Sequence, residues 1–316
     1  VARALCCLIG GAGLIGKRLA KKLLELDRSV IVLDRSPPAA PVDGIEYVVG
    51  DYGDESTFSG VIGKCDEIID LAYASQPKSS FEDPLSDLNQ NVAPAVTLFR
   101  RVIGSRRIRR IIFVSSGGTV YGSVPATPIR EDAGTAPISP YGITKLTIEK
   151  YAFMFHRTHN LPVIVARPAN AYGPGQQPFL GQGLVATAIG CALRGQRLPV
   201  YGNTVRDYVY IDDLAAGIAA LLVAGRCGEA YNIGSGVGLS SLEVVARLRA
   251  LASRNAAKLE IEELPGRSFD VPANVLDISK ISAETGWRPR MDFDEGLNLT
   301  WTDIVDRMSA GPSAKQ

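Results

Sequence analysis

The chain is poor in the residues that metals and disulfides require. Its 2 histidines, His156 and His159, share one helix–loop region with no matching ligand set, so a metal centre is not expected. The 5 cysteines (Cys6, Cys7, Cys65, Cys191, Cys227) are odd in number and lack Cys-x-x-Cys spacing. Most lie in apolar runs, where a free thiol packs as a small hydrophobe. That pattern excludes a disulfide framework and fits a reducing compartment. An excess of one charge is also missing. With 34 basic against 33 acidic residues the formal charge is +1, so no overall field favours nucleic acid or an anionic membrane. The run RRIRR (Arg106–Arg110) is the local exception and reads as a solvated helix end leading into IIFVSS. No signal-peptide pattern is read, and the longest apolar stretch, LAAGIAALLVAG, is too short to span a bilayer. These absences lead to an expectation of a soluble, cytoplasmic protein with no metal, nucleic-acid or membrane partner.

What the chain does have is alternation. ALCCLIG reads as a buried strand, and GLIGKRLAKKLLEL as a helix whose stripe is Leu14, Leu19, Leu23, Leu24 and Leu26. Strands SVIVLD, IEYVVGD, EIIDLAY, RIIFVSS and VIVARPA follow, with helices over NQNVAPAVTLFRRVIG and from Pro140 to about His156. Near-continuous apolar strands separated by helices predict an α/β fold, a Rossmann-type doubly wound parallel sheet covered on both faces. After RPANAYGPG the texture changes: Gly, Pro and Gln become frequent, and short strands RLPVYG, DYVYI and AYNIG appear. The expected division is a cofactor domain over 1–168 and a smaller C-terminal α/β substrate region over 169–316. Later segments such as the helix IDDLAAGIAALLVAG fold back onto the first domain, and the tail AGPSAKQ is expected to fray.

Between the first strand and helix, LIGGAGLIG places Gly10, Gly13 and Gly16. A dinucleotide needs such glycines for a tight turn, for close approach of its pyrophosphate and for helix–strand packing. Asp34 closes the second strand, where a carboxylate can accept from a ribose 2′-OH and repel a 2′-phosphate. NAD is therefore favoured, although a turn-capping role for Asp34 and the neighbouring Arg35 leave other readings open. In SPYGITK, Ser139 reads as an N-cap and Pro140 as the first helical residue, so Tyr141 and Lys145 share a helix face. A phenol of pKa about 10 is a poor base unless positive charge stabilises its phenolate, and an ammonium one turn away supplies that charge. The pair suits proton transfer at a sugar hydroxyl coupled to hydride transfer with NAD.

With these residues in place, the chain resembles the extended short-chain dehydrogenase/reductase family, in particular its NAD-dependent epimerases and dehydratases of nucleotide sugars such as UDP-glucose 4-epimerase. The likeness covers about residues 4–305 and includes GDYGD, DLAYA, NQNV, RPANAYGPG, RDYVYIDDLA, YNIGSG and GRSFD. It implies that Leu14 and Ile15 join the glycine loop and that Asp51 and Tyr52 lie near adenine. It further implies that Leu71, Ala72, Tyr73, Asn91, Ser115 and Pro168 line the cofactor. For the substrate, the resemblance implies Asn170, Arg206 and Arg267 on a nucleotide diphosphate, Asp270 on its ribose, and Tyr201 and Leu184 near the base. Two guanidiniums suit a diphosphate through paired donors and permanent charge. Surface ion pairs for the arginines and core packing for Tyr201 are the bland alternatives.

The turn SSGGTVYG (Ser115–Gly122) departs from the family. The resemblance implies a Ser or Thr at position 117 against the reacting hydroxyl, and dehydratases follow it with two acid/base side chains. Here 117–119 read Gly-Gly-Thr, which leaves C5 deprotonation and loss of water from C6 without a catalyst. The expectation is a nucleotide-sugar 4-epimerase, with Ser116 or Thr119 as the substitute hydroxyl or with Tyr141 working unaided. Gly117 and Gly118 are expected to leave room for a bulky sugar. Asn274, aligned with a large Tyr of hexose-restricted relatives, is expected to admit a 2-acetamido group. A reductase of a nucleotide-linked 4-keto sugar is the alternative. A catalytically idle NAD-binding protein would not need Tyr141, Lys145 and Asn91 together. A homodimer is expected through Val92, Ala95, Phe99, Ile148 and Phe155, residues that otherwise belong to the core.

Overall fold

The structure, a computed structural model, describes residues 3–180, 183–267 and 270–309. The tail AGPSAKQ and Ser268 and Phe269 of GRSFD lie outside them. In chain order the elements begin β1 (Leu5–Ile9), α1 (Leu14–Glu25), β2 (Ser29–Asp34), β3 (Ile45–Val49), α2 (Glu55–Gly60), β4 (Glu67–Asp70), α3 (Pro77–Glu82) and α4 (Pro84–Val102). They continue with β5 (Arg110–Val114), α5 (Pro140–His159), β6 (Val163–Pro168), β7 (Asn170–Tyr172), α6 (Leu184–Arg194), β8 (Arg197–Tyr201), β9 (Val205–Tyr210) and α7 (Ile211–Ala224). The last are β10 (Ala230–Ile233), β11 (Gly238–Ser240), α8 (Ser241–Arg254), β12 (Glu260–Leu264), β13 (Ala273–Asn274), α9 (Ser279–Thr285) and α10 (Phe293–Ser309).

A seven-stranded sheet in the order β10-β6-β5-β4-β1-β2-β3 is parallel throughout. Strand order reverses between β1 and β4, and in open α/β sheets ligands bind outside the strand ends at that point. Side chains alternate across β1. Cys6 and Leu8 face a core shared with Leu19 and Leu23 of α1 and with α7, whereas Cys7 and Ile9 face one built on α4 and α5. Each such fully buried aliphatic side chain contributes about 1.5–3 kcal/mol. β10, from beyond residue 169, forms one edge of this sheet. β9 pairs with β11, β13 and β7 in a second sheet, and β12 with β8 in a third.

Two expectations change here. Ala95, Phe99, Ile148 and Phe155 are at most 8% exposed and pack between α4, α5 and the sheet within one chain, with Val92 against them. The reason is spacing: the helix faces that carry them are the faces turned to β5 and β6. Gly117 does not provide space either. A Cβ there would lie 2.6 Å from Leu276 Cδ1 and 2.8 Å from the Arg167 carbonyl oxygen, so the protein itself fills the gap.

Candidate active site

The glycine loop has two kinds of glycine. Gly10 has φ +71°, and a Cβ on it would lie 2.6 Å from the Ala72 Cα; a Cβ on Gly16 would lie 2.3 Å from the Gly11 carbonyl oxygen. These two let β1, α1 and the end of β4 approach each other. Gly13, the N-cap of α1, is exposed, and a Cβ there would meet nothing nearer than 3.9 Å. Its open side, at a helix N-terminus flanked by half-buried Leu14 and Ile15, fits a pyrophosphate. Asp34 accepts from the Ala12 N–H at 3.1 Å and the Ser36 N–H at 3.1 Å, so it braces the loop from the end of β2; Arg35 beside it is exposed. Asp51 accepts from the Gly53 N–H at 2.8 Å, and burial raises the Tyr52 phenol pKa. Leu71, Ala72 and Pro168 are half-buried at the strand ends. These residues fit an NAD lying across the sheet's switch point.

At the adjacent strand end, the Ser139 hydroxyl accepts from the Gly142 N–H at 3.1 Å and starts α5. That cap sets Tyr141 and Lys145 over the end of β5. Burial raises the Tyr141 phenol pKa and Asp87 raises it further, whereas a hydrogen bond with Ser116 lowers it. Thr119 lies one turn away with a buried Oγ1 that has no hydrogen-bond partner among the described residues. Lys145 is 3% exposed and donates to the Val114 carbonyl at 2.8 Å. Its Nζ lies 4.0 Å from the Tyr73 ring centroid and 5.8 Å from that of Tyr141. Burial pulls the ammonium pKa down to about 8, against Asp70. An ammonium has three protons, so the carbonyl and the Tyr73 face leave one for a ribose hydroxyl.

The neighbours of this pair are structural in their visible bonds. Tyr73 sets its ring edge-on to Tyr141, with centroids 4.7 Å apart, and donates to Asp87 at 3.2 Å. Asn91 accepts from the Ala74 N–H at 2.7 Å and donates to the Asp87 carbonyl at 2.7 Å, tying the chain after β4 to α4. The Ser115 hydroxyl donates to Glu149, which also grips Arg167 at 2.6 Å inside the core. Sequence reasoning did not single out Asp70, Asp87 or Glu149. The only available signal was a carboxylate inside an otherwise buried strand or helix face, where an unpartnered charge is costly.

A cleft of about 210 Å³ opens beside Thr119. Gly118, Thr119, Ser139, Asn170, Arg206, Arg267, Asp270 and Val271 line it, and α3 adds Pro77, Lys78 and Phe81 as a wall that the sequence reading missed. Arg206 is held by the Val205 and Val271 carbonyls at 2.9 and 2.8 Å, and burial lowers its pKa. Arg267 pairs with Asp270 through two contacts at 2.8 and 3.2 Å and lies 4.7 Å over the Tyr201 ring. Tyr201 and Leu184 are outside the cleft lining. Asn274 is 2% exposed and donates to the Gly117 carbonyl at 3.0 Å. It therefore does not open the sugar wall but fixes the SSGGT turn, and only Gly118 faces the cleft.

Comparison with known proteins gives the family and the fold. Residues 6–234 match the model of the NAD dependent epimerase/dehydratase family. The chain is 32% identical over 305 residues to the UDP-glucose 4-epimerase of Mycolicibacterium smegmatis, covering 92% of this chain and 95% of that one. The UDP-glucose 4-epimerase of Thermotoga maritima, solved with UDP-glucose, is similar with a TM-score of 0.88 at 30% identity, over 96% of this chain and 99% of that one. The dTDP-glucose 4,6-dehydratase of Streptomyces venezuelae, solved with NAD, has a TM-score of 0.86 at 29% identity, over 98% and 100%. Epimerases and dehydratases are thus about equally similar in backbone.

Proposed function

Because the chain belongs to the NAD-dependent epimerase/dehydratase family, whose cofactor is NAD, we propose that it is a nucleotide-sugar 4-epimerase acting on a UDP-hexose or UDP-N-acetylhexosamine. One observation carries the choice over a dehydratase. Among the described residues that line the cleft, the single carboxylate is Asp270, and Arg267 holds it. Elimination of water needs an acid and a base beyond Tyr141, and the Gly118–Thr119 wall offers neither.

Tyr141, as phenolate, takes the proton of the sugar 4-OH, with Ser116 holding the phenolic oxygen. Lys145 stabilises the phenolate charge. NAD, when bound, supplies the acceptor and then the donor of the C4 hydride. Arg206 and Arg267 keep the diphosphate anchored while the 4-keto sugar turns to present its other face, and Tyr141 then returns the proton to the 4-oxygen. Binding energy placed on the nucleotide and not on the sugar permits that turn.

We include cytoplasmic residence and a homodimer in the proposal. Leu85 and Leu88 of α4 and Ile143, Tyr151 and Met154 of α5 are exposed apolar residues on the outer faces of the two packed helices. A second copy would cover them, and sedimentation of a Tyr151→Asp variant tests it.

The activity is tested by proton NMR of the purified protein with UDP-glucose, UDP-N-acetylglucosamine or UDP-glucuronate and no added cofactor. New anomeric signals of a 4-epimer are expected. Unchanged spectra, together with NADH or NADPH consumption on a 4-keto sugar nucleotide, would replace this reading with a reductase.

A further inference from the structure

We propose that Asp70 is the positioning residue that keeps the Lys145 ammonium charged beside Tyr141. The proposal rests on the catalytic role given to Lys145, but its test does not. Asp70 ends β4 in register with Phe113 of β5 and is 1% exposed. Lys145 reaches the same place from α5. Its Nζ lies 5.1 Å from the Phe113 ring centroid and donates to the carbonyl of Val114, the next residue. With the Tyr73 ring on Nζ as well, the ammonium is walled by aromatic rings beside the strand end that carries Asp70.

Three carboxylates act on Lys145, Asp70 from β4, Asp87 from α4 and Glu149 from α5, and the Tyr73 and Tyr141 ring centroids lie 4.0 and 5.8 Å from its Nζ. Glu149 is committed to Arg167, and it accepts from the Ser115 hydroxyl as well. Asp87 accepts from the Tyr73 and Ser75 hydroxyls and from the Asn91 amide. Asp70 differs. Among the described residues its one hydrogen bond comes from the Ala72 N–H at 3.1 Å, and Lys145 is the cation that faces it. Its other titratable neighbours are Cys7 of β1 and Tyr52 after β3. Burial acts on both partners, drawing Lys145 down to about 8 and Asp70 up to about 6, and each opposes the shift of the other. Between those values both are ionised, so the ammonium is present where Tyr141 must carry negative charge.

The isosteric Asp70→Asn variant keeps an acceptor for Ala72 and removes the charge. The holoprotein is labelled with [ε-¹³C]lysine, and the Lys145 resonance is identified by its loss in Lys145→Met. Its titration midpoint is expected to fall by about 1–3 pH units in Asp70→Asn, the range for losing a close opposite charge. The alkaline limb of kcat should move down with it, KM should change little, and bound NAD should be retained. An unmoved Lys145 midpoint overturns the proposal. If Asp70→Asn does not fold, the reciprocal measurement decides: in [γ-¹³C]aspartate-labelled Lys145→Met the Asp70 midpoint should rise, and an unchanged midpoint overturns the proposal equally. Failure of every sugar to epimerise would overturn the functional reading and leave these titrations standing.

Discussion

Two glycine-rich turns end neighbouring parts of the sheet, one after β1 and one after β5, and they use the missing Cβ differently. In the first, Gly10 and Gly16 are closed by backbone and Gly13 is open. In the second, Gly117 is closed by Leu276 and the Arg167 carbonyl, while Gly118 lines the cleft, where a Cβ would press on Asn170 Oδ1 at 3.3 Å. Each turn therefore pairs glycines that the fold requires with a glycine that a ligand can approach. A glycine in a sequence says that a side chain is absent; only the packing says what takes its place.

Breaking that contrast has its largest effect at Gly16. Gly16→Ala places a methyl 2.3–2.4 Å from the Gly11 backbone, which cannot move without displacing β1. We expect a loss of about 3 kcal/mol or more, beyond the usual cost of overpacking, read as a lowered urea midpoint with loss of bound NAD. A variant as stable as the parent would show that α1 does not need to sit on the loop. Gly117→Ser comes next. It restores the hydroxyl of related enzymes yet meets Leu276 and the Arg167 carbonyl, so about 1–3 kcal/mol of stability should be lost with no gain in kcat. A rise in kcat at unchanged stability would mean that Ser116 is not the working hydroxyl. Gly13→Ala tests the open member of the first turn. Stability should stay within about 0.5 kcal/mol, whereas retention of NAD through purification should drop about tenfold, since a methyl would stand where the pyrophosphate approaches.

The same contrast explains what could be read in advance. The parallel sheet was legible because strands such as SVIVLD and VIVARPA are apolar on both faces, and β2 and β6 run from Ser29 to Asp34 and from Val163 to Pro168. The Tyr141/Lys145 pair was legible because it depends on helical spacing and a Ser-Pro start. Residues whose meaning depends on a distant partner were not. Asn274 looked like a gap in the sugar wall, yet it is a tie to Gly117, 157 residues away in sequence. Phe99 and Phe155 looked available for a partner subunit, but they pack edge-to-face on each other at 6.3 Å inside one chain. The α3 wall with Lys78 and Phe81 follows a short Gln-Pro start that carries no periodic pattern, so its place beside the cleft is visible only in three dimensions.

Between the two turns, β4 ends in the buried Asp70, and the smallest predicted effect sharpens the comparison there. The glycines of both turns are set by packing, whereas the strand between them ends in a buried carboxylate that faces the Lys145 ammonium, the two with opposed pKa shifts. Asp70 is raised to about 6, so the folded protein holds this proton more tightly than the unfolded chain, and stability falls as pH rises from about 4 to 6. Lys145 is lowered to about 8, so the folded protein gives up its proton first, and stability rises from about pH 8 to 10. The pair is thus least favourable to folding in the window where both charges are present, which is also where the chemistry needs them. Replacing both, as Asp70→Asn with Lys145→Met, should abolish turnover yet leave stability at pH 7 equal to or above that of the parent. The difference between parent and double variant should shrink below pH 6 and above pH 8. Urea unfolding at pH 5, 7 and 9 measures it. A double variant less stable at pH 7 than at either extreme, relative to the parent, would mean that the two charges contribute to folding and not only to the reaction.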